Sequence, residues 1–211
     1  VGRSFVKIKL INVFLNFLGL GIRFITPLSL AYIGNSIELS IFLLLFSLLP
    51  ALPSLCSLEL HTYVNRWYRQ HNAVNSHILI ALNAKYLFPR VLLSTLIFYL
   101  LCKQVYQPPL YVYFIVLIIS VLDLLILEIS RLRTIDGYFI FASTIGCLRV
   151  AIPSIIILYF HFMHGVDNLV NLLLISSLIS SILIFCILLV YENLSIKHLI
   201  YAFFKFRLKD L

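Results

Sequence analysis

The chain has 211 residues, of which 62% are hydrophobic and 11% charged, and a formal net charge of +8. A soluble domain carries about 25% charged residues, and a soluble globule of this size could not hide so much apolar surface. The composition argues against a soluble enzyme, a disordered chain and a disulfide scaffold, and leads to an integral membrane protein.

The apolar residues fall into six blocks, roughly 10–33, 38–60, 80–102, 109–128, 138–160 and 168–190. A helix of about 20 residues crosses a hydrocarbon layer about 30 Å thick, so each block has the length of a span. Strand-like alternation is absent, which disfavours a β-barrel. A helix satisfies its own backbone hydrogen bonds, as lipid requires. The expected fold is all-α and polytopic, with a six-helix transmembrane lobe over residues 1–190 and a tail over 191–211. The first block contains Arg23 and lacks a small-residue cleavage site, so it does not read as a cleaved signal peptide. The start at Val1 suggests that earlier residues are missing. The longest polar stretch, about 61–78, leaves no room for a soluble domain.

The basic residues are asymmetric along this chain. Arg3, Lys7 and Lys9 precede block one; Arg66, Arg69 and Lys85 lie in or beside the connection between blocks two and three. Arg131 and Arg133 lie between blocks four and five, and Lys197, Lys205, Arg207 and Lys209 follow block six. These connections alternate and so share one side, with 12 basic residues against Lys103 alone on the other. The positive-inside rule then puts both termini in the cytoplasm. The remaining three, Arg23, Arg90 and Arg149, fall within spans. Since no compact basic domain exists, the positive charge reads as topology and not as nucleic-acid binding.

Polar residues inside the blocks are the candidates for function. In block one, Asn12, Asn16, Gly19, Arg23 and Pro27 step by 4, 3, 4 and 4, which keeps them on one helix face. Such a stripe faces helices or water. An arginine at mid-span costs about 2.5–3.5 kcal/mol on insertion scales. Arg23 therefore snorkels, pairs with an acid, or lines a cavity that meets an anionic substrate; Pro27 is a candidate helix break beside it. Arg90 and Lys85 sit at the start of block three, where snorkelling or a basic mouth with Arg66 and Arg69 accounts for them. Block four holds Asp123 with Ser120 one turn earlier. A carboxylate in lipid must be paired, protonated or hydrated, so Asp123 is a structural partner of Arg23 or Arg149, or a proton- or cation-coupling group. Block five repeats the small-residue pattern with Ala142, Gly146, Arg149 and Pro153. Block six offers Asn171, Ser176, Ser177, Ser180 and Ser181, best read as packing hydroxyls.

The tail alternates Leu199, Ile200, Phe203, Phe204 and Phe206 with Lys197, Lys205, Arg207 and Lys209, a pattern suited to an anionic leaflet. Cys56, Cys102, Cys147 and Cys186 form no CxxC pair and read as apolar packing residues. His61, His71 and His77 fit no metal motif, and His161 with His164 make a weak one, so no metal or cofactor is expected. Nucleophile elbows, Walker loops, HExxH and paired carboxylates are absent, and the outer connections are short, which disfavours catalysis.

The stretch EISRLRTIDGYFIFASTIGCLRVAIPS, residues 128–154, resembles bacterial polysaccharide flippases of the multidrug/oligosaccharidyl-lipid/polysaccharide exporter superfamily. It is carried by an acid, Arg-Leu, a short turn and a small-residue helix with a Leu-Arg pair: here Glu128, Arg131, Leu132, Ala142, Leu148 and Arg149. Residues 12–34 resemble that family's first helix, ending at Pro27 and Gly34, and residues 58–70 resemble the loop after its second helix. Ile37, Glu38 and Leu39 stand where the family has a second glycine, and this chain spans a single lobe.

The resemblance implies two six-helix lobes around a cavity in a bacterial inner membrane. It implies movement of undecaprenyl-diphosphate-linked oligosaccharide for O-antigen or other surface polysaccharide. With one lobe, the chain is expected to be truncated, to pair with a second lobe or copy, or to be inactive alone. Expected partners are the lipid-linked oligosaccharide, membrane lipids and other polysaccharide-assembly proteins. Expected substrate contacts are Arg23, Arg149, Arg90, Asn12 and Asn16, with Asp123 for ion coupling. The alternatives are an exporter of cationic drugs, a membrane-embedded enzyme of lipid or glycan synthesis, and a non-transporting assembly subunit.

Overall fold

The computed structural model describes residues 2–31, 36–55, 87–105, 108–135, 137–164 and 168–191. The expected tail, the basic loop with Arg66, Arg69 and Lys85, the histidines His61, His71 and His77, and Cys56 lie outside the described residues. What is described is helical: α1 (Gly2–Ala31), α2 (Ser36–Leu55), α3 (Leu87–Val105), α4 (Leu110–Ile135), α5 (Phe139–His164) and α6 (Leu169–Tyr191). Each overlaps one of the six apolar blocks.

Four stretches are long and apolar enough to cross a membrane: Ile8–Ala31, Leu110–Arg131, Phe139–His164 and Leu169–Tyr191. The apolar stretch of α2, Ile37–Pro53, is shorter, and α3 carries Arg90 in its first turn and Lys103 in its last. The chain is therefore a helical, membrane-embedded protein. Large apolar side chains cover the outside of the bundle, including Phe14, Phe17, Phe24, Phe114 and Phe162. That inside-out pattern suits lipid as the surrounding solvent.

The helices run up and down. At one end the starts of α2, α4 and α6 meet. The Leu169 N–H donates to Glu38 Oε1 at 2.7 Å, and the Tyr111 hydroxyl donates to Asn171 Oδ1 at 2.9 Å. At the opposite end Asn12 of α1 meets Ser143 of α5, Arg90 of α3 meets Glu128 of α4, and Phe141 stacks on Tyr191 with ring centroids 4.4 Å apart. This second end bears Lys9, Arg131 and Arg133, and the first bears Lys103.

Local chemistry sets the helix ends. The α4–α5 turn closes through Gly137 at φ 89°, a left-handed backbone open to glycine. The Tyr138 N–H donates to the Arg133 carbonyl at 2.8 Å and the Gly137 N–H to the Thr134 carbonyl at 3.2 Å, which together form a Schellman cap. Asn168 caps α6, its Oδ1 accepting the Asn171 N–H at 3.1 Å.

The apolar core gathers in the end away from the basic residues. Leu30, Phe42, Leu45, Leu52, Phe98, Cys102, Val112, Val116, Ile157 and Leu174 are fully buried there. α4 and α6 are the central helices, and α1 leans chiefly on α5. A Cβ on Gly19 would stand 3.7 Å from the Cys147 Cα, ordinary contact distance, so α1 and α5 pack closely at this small residue.

Two buried charges bind α3 to α4. Arg90 is 1% exposed and Glu128 4% exposed, with Arg90 Nη2 at 2.8 Å from Glu128 Oε1. Arg131 reaches the same carboxylate oxygen at 3.3 Å from a more exposed position. Replacing Glu128 with Gln leaves a buried guanidinium without its counter-charge, at a cost of about 3–5 kcal/mol. The half-exposed Arg131→Gln should cost under about 1 kcal/mol. Thermal unfolding in detergent should rank the two in that order; equal shifts would contradict the buried-pair account.

Candidate functional site

The stripe read from α1 and the stripe read from α5 face each other. Asn12 accepts a short hydrogen bond from the Ser143 hydroxyl, Gly19 abuts Cys147, and Arg23 and Arg149 line one cavity of about 240 Å³. Asp123 and Ser181 share its wall, as do Pro50 and Pro153. A volume of this size holds several waters or a small anionic group.

The charges in this cavity are partly matched. Arg149 Nη2 lies 2.5 Å from Asp123 Oδ2, and the Ser181 hydroxyl donates to Asp123 Oδ1 at 2.8 Å. The carboxylate, 6% exposed, thus holds one guanidinium and one hydroxyl. Of the two partners expected for Asp123, Arg149 is the one it takes. Among the described residues no carboxylate pairs with Arg23. Two guanidinium groups against one carboxylate leave the cavity a net positive charge.

Proline shapes the same wall from the backbone. Pro27, Pro50 and Pro153 lie inside α1, α2 and α5, and each removes the N–H that would bond the carbonyl four residues earlier. Those carbonyls belong to Arg23, Phe46 and Arg149, and all three residues line the cavity. Each proline thus frees a carbonyl acceptor on a residue that lines the cavity.

A second cavity, about 270 Å³, lies between α1, α4 and α5 toward the basic end and is lined by Asn12, Asn16, Arg131 and Ser143. It shares Gly146 and Arg149 with the first. A third hollow of about 240 Å³ runs along α1 between Asn16, Gly19 and Arg23. The five candidates Asn12, Asn16, Arg23, Asp123 and Arg149 are thus brought to neighbouring hollows that share lining residues. Arg90 is not in these linings; it is buried in the α3–α4 ion pair with Glu128.

Ser177 and Ser181 face the first cavity, whereas Ser176 bonds the Leu173 carbonyl of its own helix at 3.0 Å. Cys102 and Cys147 are buried packing residues and Cys186 lies on the outside of the bundle. The described His, Cys, Asp and Glu residues form no group able to hold a metal.

Pro50 and the Ser181–Asp123 bond escaped the sequence reading, since each acts through residues of other helices; the four-residue step from Ser177 to Ser181, both on the cavity wall, was the signal available. Charge counting could not single out the unpaired arginine: the blocks hold Arg23, Arg90 and Arg149 against Glu38, Glu59, Asp123 and Glu128.

No known protein family, no curated protein and no solved structure matches this chain. The flippase resemblance therefore stands on the residues quoted for it.

Because Asp123 and Arg149 share a largely desolvated contact, their substitutions should not be additive. Asp123→Asn should cost several kcal/mol alone, on the order of 3. In Arg149→Gln the same change should cost at least about 1 kcal/mol less. Thermal unfolding of the two single variants and the double variant measures this coupling, and additive losses would mean the pair contributes nothing.

Proposed function

We propose that the chain is one lobe of a flippase for lipid-linked oligosaccharide. The observation that carries this reading is the cavity shared by Arg23 and Arg149, two cations offset by a single carboxylate. Guanidinium groups give charge-assisted and bidentate hydrogen bonds to phosphate oxygens. A diphosphate bearing a glycan cannot cross hydrocarbon unaided. A basic hollow inside the bundle lowers that barrier while the polyprenyl tail stays among the apolar side chains of the outer surface.

In this mechanism Asp123 occupies Arg149 when no substrate is bound. The incoming phosphate exchanges with the carboxylate, and Ser181 keeps hold of Asp123. Rocking against a second lobe or second copy then exposes the cavity to the other leaflet, as in other transporters built from paired bundles. Asp123 is the group through which a proton or cation would couple to that exchange. The six-span arrangement with both termini in the cytoplasm, and the bacterial inner membrane as location, belong to the same proposal. They are supported by the gathering of Lys9, Arg131 and Arg133 at one end of the bundle.

A non-transporting assembly subunit is the second reading. It is favoured by the direct Arg149–Asp123 pair, which on its own is sufficient to fix α4 against α5. A cation exporter fits poorly with a cavity of net positive charge.

Arg149→Gln should reduce delivery of undecaprenyl-linked glycan to the outer leaflet at unchanged insertion, and Arg23→Gln should do the same. Normal delivery by both variants at normal abundance would leave the assembly-subunit reading in possession. For orientation, a cysteine in place of Lys103 should react with a membrane-impermeant maleimide added outside, while one in place of Arg133 should not. The reverse labelling would invert the topology.

A further inference from the structure

The second cavity differs in character from the first. Its wall carries the amides of Asn12 and Asn16, the hydroxyls of Ser130, Thr134 and Ser143, and Arg131 at one side. Phe139 stands in the same lining, an exposed aromatic face beside neutral donors and acceptors. The Ser130 hydroxyl is buried with no hydrogen-bond partner among the described residues. A buried hydroxyl of that kind forfeits a hydrogen bond unless a bound molecule or water supplies one. Thr134 bonds the Ser130 carbonyl at 3.0 Å and keeps its oxygen lone pairs available.

The first cavity is bordered largely by apolar residues around Arg23, Asp123 and Arg149; the second adds hydroxyl and amide groups to Arg131 and Arg149. The two meet at Gly146 and Arg149. Gly146 has no side chain to divide them, and a Cβ built there meets nothing within 4 Å. One molecule can therefore occupy both hollows if it joins a phosphate to a polyhydroxylated group. Neutral hydroxyls and amides recognise sugar hydroxyls by matched donors and acceptors, and an aromatic face takes the C–H face of a sugar ring.

We propose that the second cavity is a headgroup subsite for a sugar attached to the phosphate that Arg149 holds. This rests on the phosphorylated-lipid reading above and adds to it the residues that would read the sugar: Asn12, Asn16, Ser130, Thr134 and Ser143. Arg131, tied to Glu128 at 3.3 Å, lines the same hollow and extends its reach to a charged sugar substituent.

The test uses the full chain in phosphatidylcholine nanodiscs. The probes are undecaprenyl diphosphate, the same lipid carrying one N-acetylglucosamine, and inorganic pyrophosphate. The wild-type chain should bind the sugar-bearing lipid about tenfold more tightly than the bare lipid, the gain expected of about two added hydrogen bonds. Ser130→Ala combined with Thr134→Val should bring that ratio within about twofold and leave bare-lipid affinity and thermal stability unchanged, because neither hydroxyl links two helices. A wild-type chain with no preference for the sugar, or a double variant that keeps the full preference, overturns the subsite. Pyrophosphate binding as tightly as the lipids also overturns it, since the hollows would then serve a free anion. Arg149→Gln separates the two proposals. If it leaves both lipids bound as before while the sugar preference persists, the subsite stands and the phosphate role of Arg149 falls. If it weakens both while the double variant keeps the sugar preference, the subsite alone falls.

Discussion

The structure depends on the cost of placing guanidinium groups inside a bundle surrounded by hydrocarbon. Each such group must find a carboxylate, a hydrogen-bonding cavity or water. Glu128 answers for Arg90 and Asp123 for Arg149, and both pairs tie α4 to a neighbouring helix. The central position of α4 follows from this, since it supplies the two carboxylates that the flanking helices need. Arg23 has no such partner among the described residues, and it is the group that keeps the first cavity basic. A buried ion pair alone is weak evidence of stabilisation, because desolvation offsets much of the attraction. The two hollows that Arg149 lines are what separate it from Arg90.

The bundle is divided along its length. The end formed by the starts of α2, α4 and α6 is packed with Leu, Val and Phe, and the first cavity stops against Phe46, Leu49 and Leu173 of that packing. The other end holds Asn12, Asn16, Ser143 and most of the described cations, while Glu38, Tyr111 and Asn171 bond at the first end. The hollows run from the basic end inward as far as the apolar packing. Passage would need the apolar end to part, and close packing makes that a discrete rearrangement of helices and not a gradual one.

Proline and glycine give the polar half its form. The helices that line the first cavity on three sides, α1, α2 and α5, contain prolines four residues after a lining residue, and glycine lets α1 lie close to α5. α1 has few neighbours other than α5. Small-residue packing at Gly19 and the side-chain bond from Ser143 to Asn12 help to hold it there.

The sequence by itself determined the solvent and the secondary structure. Apolar blocks of span length dictate helices in lipid, and the four- and three-residue steps of Asn12, Asn16, Gly19, Arg23 and Pro27 dictate a single polar face. The same is true of Ala142, Gly146, Arg149 and Pro153, and the two faces do meet. Helical period is a local property, so one helix's sequence is enough to reveal it. Which arginine Asp123 would take, the burial of Arg90 against Glu128, the Ser181 bond and the contribution of Pro50 were decided by the tertiary structure. Those contacts join residues from 26 to 58 positions apart for the bonds to Asp123 and 38 for Arg90 with Glu128. No local pattern encodes which helices become neighbours; that choice follows from the combined packing of all of them.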